Sequence, residues 1–223
     1  MSRLSENLAA SEGADSVRTG PEFTPEQRQI LLGIARAAIA SGLAAEPLPD
    51  VPPPSSSLAA PSLSTSPSWA GLMEPRGVFT TLYLGDQLRG CVGYALPIRP
   101  LYRAVGETAR AAAFEDSRFW PVTPEEASEL KISLSVLSRL FPIAPGQVEV
   151  GRHGLVISDG SRRGLLLPQV PVENGWDRET FLEQTCRKAG LPREAWRQQE
   201  IDIQAFTAEV FGDEDASESK APL

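Results

Sequence analysis

Apolar positions along the chain fall into short stretches of two different periods. Ile30, Leu31, Ile34 and Ala38 recur at helical spacing behind Thr24-Pro25-Glu26-Gln27. There the threonine suits an N-cap, the proline a first turn and the glutamine the reciprocal half of a capping box. The pattern predicts a helix that begins at Thr24 and closes at Gly42, since glycine takes the left-handed conformation without penalty. Residues 77–84 (GVFTTLYL) and 88–95 (LRGCVGYA) are rich in β-branched and aromatic side chains, and Gly85-Asp86-Gln87 lies between them. An antiparallel hairpin follows. Leu101, Val105, Ala109 and Ala112 restore the helical period over residues 99–115, and Ala111-Ala112-Ala113 is small enough to let a helix backbone approach a sheet.

A second cap with proline, Thr123-Pro124-Glu125-Glu126, predicts a short helix. Leu130, Ile132, Leu134 and Val136 then alternate with Lys131, Ser133 and Ser135, the signature of a half-buried strand. Further strands are expected at 148–150, 155–157 and 164–167, with Asp159-Gly160 turning between the last two. Asp177 caps a helix carrying Phe181, Leu182, Cys186 and Ala189, and Gly190-Leu191-Pro192 ends it. Residues 201–211 read as one closing strand. Helices and strands mix without regular βαβ alternation, so the expected fold class is α+β, with mixed, largely antiparallel sheets and flanking helices.

Between the first helix and the hairpin, residues 46–75 are rich in proline and serine, which removes backbone donors and predicts a surface loop. Trp69 and Leu72 are placed to pin its end. Residues 1–22 and the acidic 213–223 offer few apolar anchors and read as tails around a domain at 23–212. No run approaches the roughly 20 apolar residues of a membrane span. The N-terminus has no secretory pattern, so a cytosolic location is expected. Two cysteines give no disulfide framework, and a net charge of −8 disfavours general nucleic-acid or membrane-surface binding. One histidine, two dispersed cysteines and neither CxxC nor HExxH leave no zinc signature.

Candidate chemistry centres on Cys91. Strand period two places Arg89 and Cys91 on one face, where a guanidinium favours the thiolate. Glycines at 90 and 93 weaken the strand and suggest close approach of a ligand or another backbone. The alternative is a bulged strand whose cysteine fills a core gap. Cys186, on an apolar helix face, reads as packing. His153, the sole histidine, is the one available partner for a cysteine–histidine dyad. Asp116 and Arg118 sit where the chain leaves a helix, as a structural pair or as part of a site. Arg152, Arg162 and Arg163 could frame an anion, although a solvated arginine turn is commoner.

The segments RGVFTTL (76–82) and LRGCVGY (88–94) resemble the AMMECR domain family, whose hallmark is an LRGCIG-like strand after a GVFVTL-like one. AAAFEDSRF (111–119), LSVLS (134–138), HGL (153–155), LLPQV (166–170), Gly175-Trp176, Phe181-Leu182 and KAGL (188–191) continue the resemblance in order. Ser117 and Trp120 stand where the family often has proline, Val92 replaces isoleucine, and the Pro/Ser loop is longer than usual. The resemblance implies two subdomains forming a cleft lined by the cysteine strand, with Gln169 among its candidate binding residues. It also implies association with Memo-like and radical-SAM proteins. It does not define a reaction, and it leaves the cofactor open. Two functions are therefore expected as alternatives: a binding or accessory component, or an enzyme using Cys91 as nucleophile or redox thiol on a small molecule.

Overall fold

The structure, a computed structural model, describes residues 21–49, 69 and 71–213. Most of both tails and of the Pro/Ser loop lies outside the described residues. Among the described residues there are five α-helices and eight strands, and the strands form two four-stranded antiparallel sheets, in the order β2-β1-β3-β8 and β4-β7-β5-β6. The helices are α1 (Pro25–Leu43), α2 (Leu101–Phe114), α3 (Pro124–Ala127), α4 (Gln169–Glu173) and α5 (Arg178–Lys188). The strands are β1 (Val78–Leu84), β2 (Gln87–Tyr94), β3 (Leu130–Leu137), β4 (Phe141–Pro142), β5 (Gly154–Asp159), β6 (Arg162–Leu166), β7 (Asp202–Phe206) and β8 (Ala208–Gly212). None of the helices is long and apolar enough to cross a membrane.

Local chemistry explains most boundaries. Thr24 caps α1 in a full capping box with Gln27, and Thr123 does the same for α3 with Glu126. Asp177 caps α5, and Gly190, at φ +70°, closes it while Leu191 N–H donates to the Cys186 carbonyl. The expected stop at Gly42 is corrected: Gly42 stays helical, and Ala45 takes the left-handed turn at φ 55°. Gly42 serves packing instead, since a Cβ there would lie 2.2 Å from the Phe114 ring.

The first sheet lays Val78, Leu82, Ile132, Leu134 and Val136 against α1 and α2, forming the larger core with Leu31, Ala35, Leu101 and Val105. Trp69 and Leu72 join it, as the end of the loop was expected to do. The second sheet packs Leu155, Ile157 and Ala205 against Phe181, Leu182 and Cys186 of α5. A third cluster of Leu137, Val156 and Phe206, with Phe79 against it, joins the two halves. Phe79 alternates with Thr81 and Tyr83 on the face of the first sheet turned away from α2, so the second half packs on that face.

Two expected strands are corrected. Residues 201–211 are not one strand: β7 belongs to the second sheet and β8 to the first, with Thr207 between them. The crossover is held where Ser138 N–H donates to the Thr207 carbonyl and Thr207 N–H to the Ser138 hydroxyl. Alternation reads identically through such a crossover, because both strands keep period two. Residues 148–150 form no strand, since the 3₁₀ turn Pro145–Gln147 leads into a turn at Glu149, and Val148 alone is buried. Residues 22 and 213, placed in the tails by composition, are both anchored. Glu22 pairs with the buried Arg76, and Asp213 accepts the Ile132 N–H at 2.8 Å while pairing with Arg36.

Candidate functional site

The cysteine strand β2 is an edge strand, paired with β1 alone. Its register, Thr81 opposite Cys91 and Leu82 opposite Gly90, shifts so that Tyr83 faces Leu88, leaving Arg89 as an extra residue. This bulge interrupts period two at the position where an unbroken strand would set Arg89 beside Cys91. Arg89 instead reaches α3. Its Nε and Nη2 donate to the two Glu126 carboxylate oxygens at 2.9 and 3.0 Å, and Nη2 also donates to the Pro121 carbonyl at 3.3 Å. The Arg89 guanidinium holds the Glu126 carboxyl below its ordinary range, helped by the Thr123 N–H. The expected activation of Cys91 by Arg89 is therefore corrected: Arg89 fastens α3 to the edge of the sheet.

Gly90 faces α2. A Cβ there would lie 2.1 Å from the Ala112 carbonyl oxygen, so the glycine and the small alanine cluster together permit this helix-to-strand approach. The reason for a glycine before Cys91 is thus another backbone, not a ligand. Gly93 lies under Phe79, whose ring a Cβ would meet at 2.3 Å.

Asp116 and Arg118 converge on the cysteine. Asp116 Oδ2 accepts the Cys91 N–H at 2.8 Å, and Arg118 Nη2 donates to the Cys91 carbonyl at 3.3 Å. The two side chains are joined by Nε and Nη2 bonds of 3.0 and 2.8 Å, and Asp116 also accepts the Arg118 backbone N–H at 3.2 Å. The Arg118 guanidinium, seconded by these N–H groups, holds the Asp116 carboxyl far below the usual carboxylate range. An ion pair thus occupies both outward backbone groups of Cys91, as a neighbouring strand would.

The thiol is half-buried, its sulfur 3.4 Å from the Thr81 hydroxyl. Burial pushes its pKa up, and the lowering by the Thr81 bond and Arg118 is opposed by Asp116. Tyr83, also buried, is raised mainly by burial and then by Cys91. Thr81 and Tyr83 escaped sequence reasoning because they read only as strand formers, although pairing β1 with β2 was the signal that placed them here.

The remaining expected residues lie elsewhere. His153 is 7% exposed, its Nδ1 accepting the Glu149 N–H at 3.0 Å and its ring edge-on to Phe141, and burial lowers its pKa. None of its contacts involves Cys91, so the structure assembles no cysteine–histidine dyad. Gln169 opens α4 beyond β6 with no hydrogen bond to its side chain among the described residues. Arg152 pairs with Glu149 and Arg162 with Asp159, so two of the three arginines proposed to frame an anion are already matched. No three histidine, cysteine or acidic side chains are grouped to hold a metal ion among the described residues. Cavities of about 280 Å³, between α1 and α2, and about 710 Å³, beside Trp196 and Pro142, are both lined without β2.

Cys186 is wholly buried in the core of the second sheet. Cys186→Ser is accordingly expected to cost about 1–2 kcal/mol, the order of burying a hydroxyl, and Cys91→Ser less than about 1 kcal/mol. Paired urea melts measure both, and a larger loss at Cys91 would contradict this assignment.

Comparison with known proteins bears on the whole arrangement. The chain is 43% identical over 204 residues to a protein of Thermococcus gammatolerans, covering 85% of this chain and 91% of that one. It is 41% identical over 206 residues to a protein of Methanopyrus kandleri, covering 88% and 93%. The crystal structure of an uncharacterized Pyrococcus horikoshii protein superposes with a TM-score of 0.60 at 38% identity, covering 86% of this chain and 94% of that one. The AMMECR1 family model matches residues 32–211, which take in both sheets, the Cys91 strand and the Asp116–Arg118 pair. On that match and those near full-length relatives, the chain belongs to the AMMECR1 family.

Proposed function

We propose that this chain is a cytoplasmic binding or accessory component that docks a Memo-like or radical-SAM protein on the Cys91 strand and the turn at 114–121. The observation that carries the reading is Trp120, 88% exposed in that turn. Its neighbours on either side touch the cysteine strand's own partners: the Pro121 carbonyl accepts from Arg89, and the Phe119 ring lies 5.5 Å from the Arg118 guanidinium. A large exposed indole two residues along the chain from an arginine has the composition of an interface hot spot. Burial pushes the Cys91 thiol up, and the side-chain group bonded to its sulfur is the Thr81 hydroxyl, which is no base. The alternative, Cys91 as nucleophile or redox thiol on a small molecule, has less support for that reason.

The test is calorimetric titration with purified Memo-like and radical-SAM proteins. Trp120→Ala is expected to leave unfolding within about 0.5 kcal/mol of wild type, as for other exposed positions, and to weaken binding at least about tenfold. Cys91→Ser is expected to bind as wild type. Binding that is lost in Cys91→Ser and kept in Trp120→Ala would sink this reading.

A further inference from the structure

One row of side chains crosses three strands of the first sheet. Cys91 of β2 stands opposite Thr81 of β1, Thr81 opposite Ser133 of β3, and Ser133 opposite Gly212 of β8, which ends the row without a side chain. Opposed residues share a face, and since Gly90 faces α2, the row lies on the other face. Along β1 it is bounded by Tyr83 on one side and by Phe79, against which the second half packs, on the other. Thr81, Ser133 and Tyr83 are 3%, 6% and 6% exposed. The Thr81 hydroxyl donates to the Cys91 sulfur at 3.4 Å. The hydroxyls of Ser133 and Tyr83 meet no protein group among the described residues, yet neither oxygen is sealed from solvent as the orphaned Trp196 Nε1 is. Most polar atoms of buried side chains have a partner in folded proteins. Two neighbouring side chains that are covered except at an unpartnered hydroxyl therefore mark a place for the polar atoms of a ligand.

The charges around the row are already committed. Asp116 and Arg118 pair with each other beside Cys91, and Lys131, opposite Tyr83, is engaged as well. An ion entering here would give up its hydration with no free opposite charge to replace it. A neutral group with both an acceptor and a donor meets no such cost, because a hydroxyl can serve either way. We propose that Cys91, Thr81, Ser133 and Tyr83 form a binding subsite for a primary carboxamide, carried by a free small amide or by an asparagine or glutamine side chain of a partner. Ser133 and Tyr83 supply the open hydroxyls, and the Cys91 sulfur lies in the same row. The subsite lies on the face of the sheet and goes beyond the docking at Trp120: loss of binding in Trp120→Ala leaves it untouched.

The probes are iodoacetamide and iodoacetate, which differ by a carboxamide in place of a carboxylate and both lose iodide to the Cys91 thiolate. Labelling at about pH 9, where a thiolate is available, is mapped by mass in the folded protein and in urea. The ratio of the iodoacetamide rate to the iodoacetate rate at Cys91 is expected to be at least about tenfold higher in the folded protein. Ser133→Ala and Tyr83→Phe, each removing one hydroxyl, are expected to lower that ratio at least about threefold, the worth of one hydrogen bond. Repulsion of iodoacetate by the chain's net negative charge would survive both substitutions, since neither changes a charge. An equal ratio in folded and unfolded protein, or a ratio unmoved by both variants, overturns the proposal. Acetamide and a capped Gly-Gln-Gly peptide, used as protectants against iodoacetamide, tell the two sources apart. Protection by acetamide alone supports a free amide, and stronger protection by the peptide supports a partner's side chain. Protection by neither, or equal protection by acetate, overturns the proposal.

Discussion

Gly90→Ala is expected to destabilise the protein by about 3 kcal/mol, the upper end of overpacking costs. The added methyl would meet the Ala112 carbonyl oxygen at 2.1 Å, and a backbone oxygen cannot swing aside as a side-chain terminus can. Relief requires parting α2 from β2, which would disturb the strand carrying Cys91 and the helix leading to Asp116 together. Gly33→Ala provides the contrast. Gly33 is exposed within α1, and a Cβ there meets nothing within 4 Å, so the change should stabilise by about 0.5–1 kcal/mol through helix propensity. Urea unfolding of both variants checks the pair. A loss below about 1 kcal/mol at Gly90 would mean that the approach of helix and strand is looser than the structure has it.

Asp116→Asn is expected to cost about 2 kcal/mol at pH 7, since a carboxylate bonded to three Arg118 donors and the Cys91 amide gives way to a neutral amide. The figure stays at the lower end for a charged pair because the Arg118 side chain is 49% exposed and screened. The acid dependence follows from the depressed carboxyl. The folded state holds that proton less tightly than the unfolded chain, whose value is the ordinary 3.8, so the contribution is complete above about pH 5. As pH falls below that, the unfolded chain takes up the proton first, and the contribution drains away towards the depressed folded value. The stability gap between wild type and Asp116→Asn should therefore narrow between about pH 5 and pH 3. Glu74 and Glu126 are also held low, by Arg139 and Arg89, and the comparison with the variant removes their share. A gap that stays constant down to pH 3 would contradict the pair's assigned role.

Elements governed by neighbours in sequence were legible beforehand. The capping boxes at Thr24 and Thr123, the hairpin around Gly85 and the glycine stop at Gly190 each depend on residues within a few positions. The split of 201–211 between two sheets was not, because alternation says nothing of which sheet a strand joins. The two-residue β4 and the five-residue α4 are too short to show a period. At the site, the Cys91 strand and the neighbourhood of Asp116 and Arg118 were legible as segments. What those side chains do was not, since the bulge that redirects Arg89 arises from register against β1, and the capping box accounts for Glu126 without an arginine partner. His153 stood out only by being alone of its type. Its contacts with Glu149 and Phe141 belong to the second sheet's half of the molecule.

The central claim is that the Cys91 strand is a docking surface rather than a nucleophile's seat, and mass-mapped iodoacetamide labelling of the folded protein across pH tests it most directly. With burial raising the thiol and Arg89 committed to Glu126, labelling of Cys91 should begin to rise only above the ordinary thiol range near about 8.5. Arg89→Ala should leave that onset in place, and Arg118→Ala should move it higher, because Arg118 is the cation that favours the thiolate. Rapid labelling of Cys91 at pH 7 that is abolished by Arg89→Ala would contradict the account and return Cys91 to the role of an activated nucleophile.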